Sequence, residues 1–116
     1  MFDFEKLEVY QNLRSLNSKL LPELFKIQKK EVYLTDQLKR ANLSAMLNLS
    51  EGTGRMSAQD KKQFYIRARA SVFESVSILQ VLSDTDMIDE KLYRSLYDEY
   101  EQISKMILAM IRSLKQ

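Results

Sequence analysis

Both glycines of this 116-residue chain fall within three positions, Gly52 and Gly54, and its single proline is Pro22. A sequence so poor in turn formers can change direction in few places. Leu, Lys, Glu, Gln, Met, Ala and Arg, which favour helix, fill much of the rest. The chain therefore reads as a few long helices, and its apolar periodicity says where they lie.

The first helix is predicted over about 4–28, with Val9, Leu13, Leu16, Leu20, Leu24 and Ile27 at three-to-four-residue spacing. Pro22 lacks a backbone donor and clashes with the carbonyl four residues earlier. Because the apolar period continues past it, a kink is expected, with an end at Leu21 as the alternative. Polar Lys29-Lys30-Glu31 makes the connection. The second helix is predicted over about 32–51, with Gly52 as a left-handed C′ residue and Gly54 allowing a further turn. Ser57 followed by Asp60 resembles a capping box and opens a third helix, about 58–83. After the turn at Asp84–Ile88, Asp89 caps a fourth, about 89–115, whose Leu92, Leu96, Ile103, Ile107, Met110 and Leu114 form a near-heptad seam. Four long helices with short connections make a single all-α domain over 1–116, an antiparallel up-down four-helix bundle.

Residue types narrow the chemistry. There is no cysteine, hence no disulfide, thiolate nucleophile or thiolate metal site, and no histidine, the commonest general base and zinc ligand. No matched carboxylate pair specifies a reaction, so neither an enzyme, a cofactor nor a metal site is expected. The amino terminus, MFDFEKLEVY, is acidic and lacks the apolar core of a signal peptide. No run approaches the roughly 18 apolar residues of a membrane span. A cytoplasmic protein without membrane contact is the expectation.

At about 100° per residue, Leu34, Leu38, Ala41, Ala45 and Leu49 share one face of the second helix. Leu43 and Leu47, with Met46 less centrally, take roughly the opposite face. Between them runs a narrow polar strip of Gln37, Ser44, Asn48 and Glu51, with Arg40 at its edge. Polar groups flanked by apolar surface need partners, and the third helix offers Ser71, Glu74 and Ser75 near its expected core line of Phe64, Ala68, Ile78 and Leu82. The strip reads as a structural hydrogen-bond network that sets which helices pair, and in what register. The third helix also has a second seam: Ile66 and Phe73 lie nearly opposite the first, with Tyr65 and Val76 broadening it. Helices apolar on two sides are buried on two sides. Leu43, Leu47, Ile66 and Phe73 are therefore the expected contacts of a homo-oligomer.

Net charge is +2, but unevenly placed. Residues 29–69 carry nine Lys/Arg against four Asp/Glu, and residues 84–101 carry two against seven. Lys39, Arg40, Arg55, Lys61, Lys62, Arg67 and Arg69 surround the junction of helices two and three and form the candidate nucleic-acid surface. The acidic segment, with Tyr93, Tyr97 and Tyr100, is the candidate surface for a protein partner. Gly52-Thr-Gly54 is not followed by Lys-Ser/Thr and ends a helix instead of following a strand, which argues against a phosphate-binding loop.

Gln37-Leu-Lys-Arg-Ala41, then Ser44, Asn48, Glu51-Gly52 and Gly54-Arg55, resembles the small four-helix-bundle proteins encoded within intervening sequences of large-subunit ribosomal RNA genes. Phe4-Glu-Lys-Leu-Glu-Val-Tyr-Gln11, Phe64 with Ala68–Glu74, and Ile103–Ile107 with Leu114-Lys115 are similar to that family's first, third and fourth helices. Ala70 and Asp86 stand where the family usually has Gly, and Pro22 is atypical. The resemblance implies a ring-like homopentamer and a relation to the accessory variability protein of diversity-generating retroelements, a basic pentamer that binds nucleic acid and a reverse transcriptase. Two functions follow: a non-enzymatic oligomeric scaffold for a protein partner, or a homo-oligomer that binds structured RNA.

Overall fold

The computed structural model describes residues 1–115. A 3-10 turn, Asp3–Lys6, leads into four helices: α1 Glu8–Ile27, α2 Val32–Thr53, α3 Ala58–Asp84 and α4 Glu90–Ser113. Each packs against its neighbours in chain order, and α1 closes the array against α4. The result is the expected antiparallel four-helix bundle, 45 Å long and about 22 Å across.

The starts of α2, α3 and α4 and the end of α3 each have a local cause. The Ser57 hydroxyl accepts from the Asp60 amide at 3.1 Å, and the Asp89 carboxylate from the Leu92 amide at 2.7 Å. Glu31 does the same for Leu34, starting α2. At the end of α3, Met87 N–H bonds to the Leu82 carbonyl and Asp86 N–H to that of Ser83. That is a Schellman closure with Asp86 in the left-handed region at φ 59°.

As the continuing apolar period predicted, α1 runs five residues past Pro22 to Ile27. Three sequence expectations need correction. The first helix does not begin at Phe4: extended Leu7 separates the 3-10 turn from α1 and packs against the core. Gly52 is not a left-handed cap, since no glycine has positive φ and α2 continues through it to Thr53. A Cβ on Gly52 would lie 2.7 Å from Tyr65 Cε1 and 3.0 Å from Phe64 Cβ, so it is glycine because α3 comes so close. Finally, α3 is rotated from its expected facing. Tyr65, Val72, Ser75 and Leu79 join Ala68 and Leu82 inside, while Phe64 and Ile78 sit half-buried beside α2. A helix with apolar residues on both sides leaves its inward face to be chosen by its neighbours.

The core is otherwise as read: Val9, Leu13, Leu16, Leu20 and Leu24 of α1 and Leu38, Ala41, Ala45 and Leu49 of α2 are buried, as are Leu96, Ile103 and Ile107 of α4. Small residues mark the α2–α3 seam: Ser44 meets Ser71, and Gly52 admits Tyr65 and Phe64. Small side chains allow close interaxial approach, and this pair is the most intimate in the bundle.

Candidate functional site

Two polar systems cross the bundle. The expected one bridges α2 and α3: the Ser44 and Ser71 hydroxyls lie 2.9 Å apart. Asn48 Nδ2 donates to the Ser44 carbonyl at 2.8 Å and to its hydroxyl at 3.2 Å. Ser75 Oγ in turn donates to the Ser71 carbonyl. Three residues assigned to this strip stand apart. Glu51 and Glu74 are exposed, Glu51 only approaching Arg55 at 4.0 Å, and Gln37 makes no side-chain hydrogen bond among the described residues. The strip is narrower than its wheel position suggested, because only residues facing α3 find partners.

The second system lies deeper and was not foreseen. Tyr100 of α4, fully buried, donates its hydroxyl to Asn42 Oδ1 of α2 at 2.5 Å. Asn42 Nδ2 donates to Asn17 Oδ1 of α1 at 2.8 Å, and Asn17 Nδ2 points to the Met46 sulfur. One chain of side chains thus joins α4, α2 and α1. Burial pushes the Tyr100 phenol well above its ordinary pKa of 10.0. The neighbouring Glu99 carboxylate adds to that shift. Tyr100 is thus withdrawn from the surface where it had been expected to meet a partner. Its sequence signal was available: it fills the heptad position between Leu96 and Ile103. Asn42 likewise interrupts an apolar face that includes Leu38, Ala45 and Leu49.

No buried side-chain donor or acceptor lacks a partner among the described residues. Neither system thus has a free polar group aimed at a ligand, and both read as structural.

The basic residues do not form one patch. Lys61 Nζ donates to the Thr53 carbonyl at 2.7 Å, supporting the C-terminus of α2 where the helix dipole favours a cation. Lys39 faces Asp36 at 3.4 Å and Phe25, and Arg69 stacks on Phe73 while donating to the Ser104 carbonyl of α4. Arg55 and Arg67 stack on Phe64, with guanidinium carbons 4.4 and 5.1 Å from the ring centre. Lys62 and Arg40 make no ion pair among the described residues. Arg55 and Arg67 thus meet at Phe64 at the α2–α3 junction, while Lys62 lies on the Ile66 side of α3, away from that ring, and Arg40 is about four helical turns from Arg55.

The second apolar seam is outside the bundle, as read. Leu43 and Leu47 of α2 are 54% and 50% exposed, and Ile66 and Phe73 of α3 are 43% and 53% exposed. Phe73 and Arg69 also border a groove of about 450 Å³ between α3 and α4, which runs on past Ile66 to Leu108 and Ile111. Val76 and Tyr97 line its other end. Tyr93 and Tyr97 are half-buried, their rings 5.9 Å apart.

Fold and sites together define a four-helix bundle with a satisfied polar interior and an unusually apolar outer face. A family model described as 23S rRNA-intervening sequence protein matches residues 5–109, and the chain belongs to that family. Comparison with curated proteins finds no match. No helix is long and apolar enough to cross a membrane among the described residues.

Proposed function

We propose that this protein is a non-enzymatic scaffold: copies associate through the outward faces of α2 and α3, and the assembly presents the acidic α4 side to a protein partner. The observation that carries this reading is the exposure of Leu43, Leu47, Ile66 and Phe73 on two adjacent helices. Large apolar side chains left exposed on rigid helices are of the kind that marks interaction surfaces. A homopentamer is the form that the family resemblance suggests. The absence of histidine and cysteine from the sequence supports a role without catalysis. Light scattering at micromolar concentration tests the assembly: a multiple of the 13.7 kDa chain is expected, and a monomer would overturn it.

One observation favours nucleic acid as the second reading. Arg55 and Arg67 both stack against one phenylalanine ring, which orders both guanidiniums while leaving N–H groups for phosphate. Each copy in an oligomer would repeat the pair, and weak contacts would sum. Fluorescence anisotropy with structured RNA at two salt concentrations tests it. Salt-sensitive binding abolished by Arg55→Glu with Arg67→Glu supports this reading, and no binding at low salt removes it.

A further inference from the structure

The groove between α3 and α4 has a cationic end and an apolar end. Buried Val72 and Tyr100 lie at its floor, and Phe73, Val76 and Tyr97 line it above them. Because the two helices run antiparallel, Arg69 lies beside Ser104 at one end, its Nε donating to the Ser104 carbonyl at 3.4 Å. Val76 lies two turns further along α3, about 10 Å away, and Tyr97 lines the same end. The space is about 450 Å³ and mostly apolar, within the range of small-molecule sites.

The charges that line this groove do not cancel. Glu101 faces Lys105, one turn along α4, at 3.9 Å. That leaves Arg69, whose contacts are a neutral carbonyl and the Phe73 ring, 4.7 Å from the guanidinium carbon. No carboxylate pairs with it among the described residues. Ring and carbonyl hold the side chain in place, and the bond through Nε leaves both terminal nitrogens for an acceptor. Arg69 is half-buried, so salt and water screen its charge less than at the open surface.

We propose that this groove binds a small amphipathic carboxylate. Its carboxylate pairs with the terminal nitrogens of Arg69, and its hydrocarbon tail lies over Val72 and Tyr100 toward Val76 and Tyr97. The guanidinium fork matches a carboxylate through two parallel hydrogen bonds, and burial of the tail adds to the affinity. Net charge at the cationic end suits one negative charge: Glu101 opposes a second, and Arg69 opposes a cationic head. The site goes beyond the scaffold reading and stands whether or not copies associate.

Sodium octanoate is the probe, titrated by calorimetry into the full chain. One site per chain is expected, with a Kd in the millimolar range or below, as a ligand of about ten heavy atoms can reach. Octan-1-ol and octylamine carry the same tail without the negative charge and should bind about tenfold more weakly. Arg69→Gln should weaken octanoate by about the same factor. Glu101→Gln removes the acid at the rim and should tighten it. Because Arg69 also braces α3 against α4, Val76→Trp supplies an independent variant: it fills the apolar end with Arg69 intact and should block binding with helicity unchanged. No saturable binding at millimolar octanoate, equal binding of octan-1-ol, or unchanged affinity in folded Arg69→Gln or Val76→Trp would overturn the proposal. Binding to a monomeric variant but not to an assembled parent would place a second copy in the groove and overturn it as well.

Discussion

Tyr100 and Asn42, separated by 58 residues in sequence, share a hydrogen bond at the centre of the bundle where neither side chain touches water. The bond ties α4 to α2, and Asn42 extends it to Asn17 on α1. A purely apolar bundle core accepts several helix registers at similar energy. A connected buried polar chain penalises every register that separates its members.

Tyr100→Phe should therefore destabilise the protein by about 1–3 kcal/mol, because it leaves Asn42 Oδ1 buried without its donor. Urea unfolding followed by helicity measures this. An unchanged midpoint would mean that the bond adds nothing net. Asn42→Ala should cost more, since it strands both Tyr100 and Asn17.

Alkaline pH tests the same residue. The folded phenol has a pKa raised above its ordinary 10.0, so the folded state holds its proton where the unfolded state releases it. The proton-linked stability is complete below about pH 10 and falls as pH rises above that value. Unfolding free energy should thus decline above pH 10, and Tyr100→Phe should flatten that decline. A pH series of urea titrations on both proteins provides the check.

The two glycines should respond oppositely to alanine. At Gly52 a Cβ would press on Phe64 Cβ and the Tyr65 ring, so Gly52→Ala should destabilise by about 1–3 kcal/mol despite alanine's better helix propensity. At Gly54, φ is −79° and the nearest atom to an added Cβ is the Glu51 carbonyl oxygen at 3.5 Å. There Gly54→Ala should gain about 0.4–1 kcal/mol by restricting the unfolded chain. Thermal melts of the two variants compare them directly.

This pair also shows which information the sequence held. Helix positions were legible because periodicity, Ser57, Asp89 and the scarcity of turn formers all point the same way. The exposed seam of Leu43, Leu47, Ile66 and Phe73 was legible for the same reason. The role of Gly52 was not, because a glycine at a helix end looks alike whether it relieves φ or admits a neighbouring ring. The facing of α3 was equally hidden: with Phe64 and Ile78 on one side and Ile66 and Phe73 on another, Val72 and Leu79 turn inward only once α2 and α4 are in place. Lys61 and Lys62 were read as equivalent, yet only three-dimensional placement separates a helix cap from a free cation.

Asp86 offers a stabilising substitution. Its φ of 59° places a Cβ-bearing residue where glycine is strain-free. Asp86→Gly should add about 0.5–1 kcal/mol, and a β-branched Asp86→Val should lose at least as much. The measurement is the shift in urea midpoint at constant slope, which separates a native-state effect from a change in the unfolded chain's compactness.

Lys61 and Lys62 should separate stability from binding. Lys61→Ala removes the ammonium from the Thr53 carbonyl and the C-terminal end of α2, so a loss of about 0.5–1 kcal/mol is expected. Because that carbonyl is partly accessible, water replaces some of the lost interaction and the effect stays in the lower part of the range for such contacts. Lys62→Ala breaks no ion pair or hydrogen bond among the described residues and should leave the melting curve within about 0.5 kcal/mol of the parent. If the α2–α3 junction binds RNA through its unpaired cations, Lys62→Ala should weaken it and reduce the slope of log affinity against log salt, since one phosphate contact is lost. Lys61→Ala should leave that slope nearly unchanged, its charge being turned into the protein. Equal effects of the two substitutions on both melting and salt slope would contradict the division of labour that their geometry assigns.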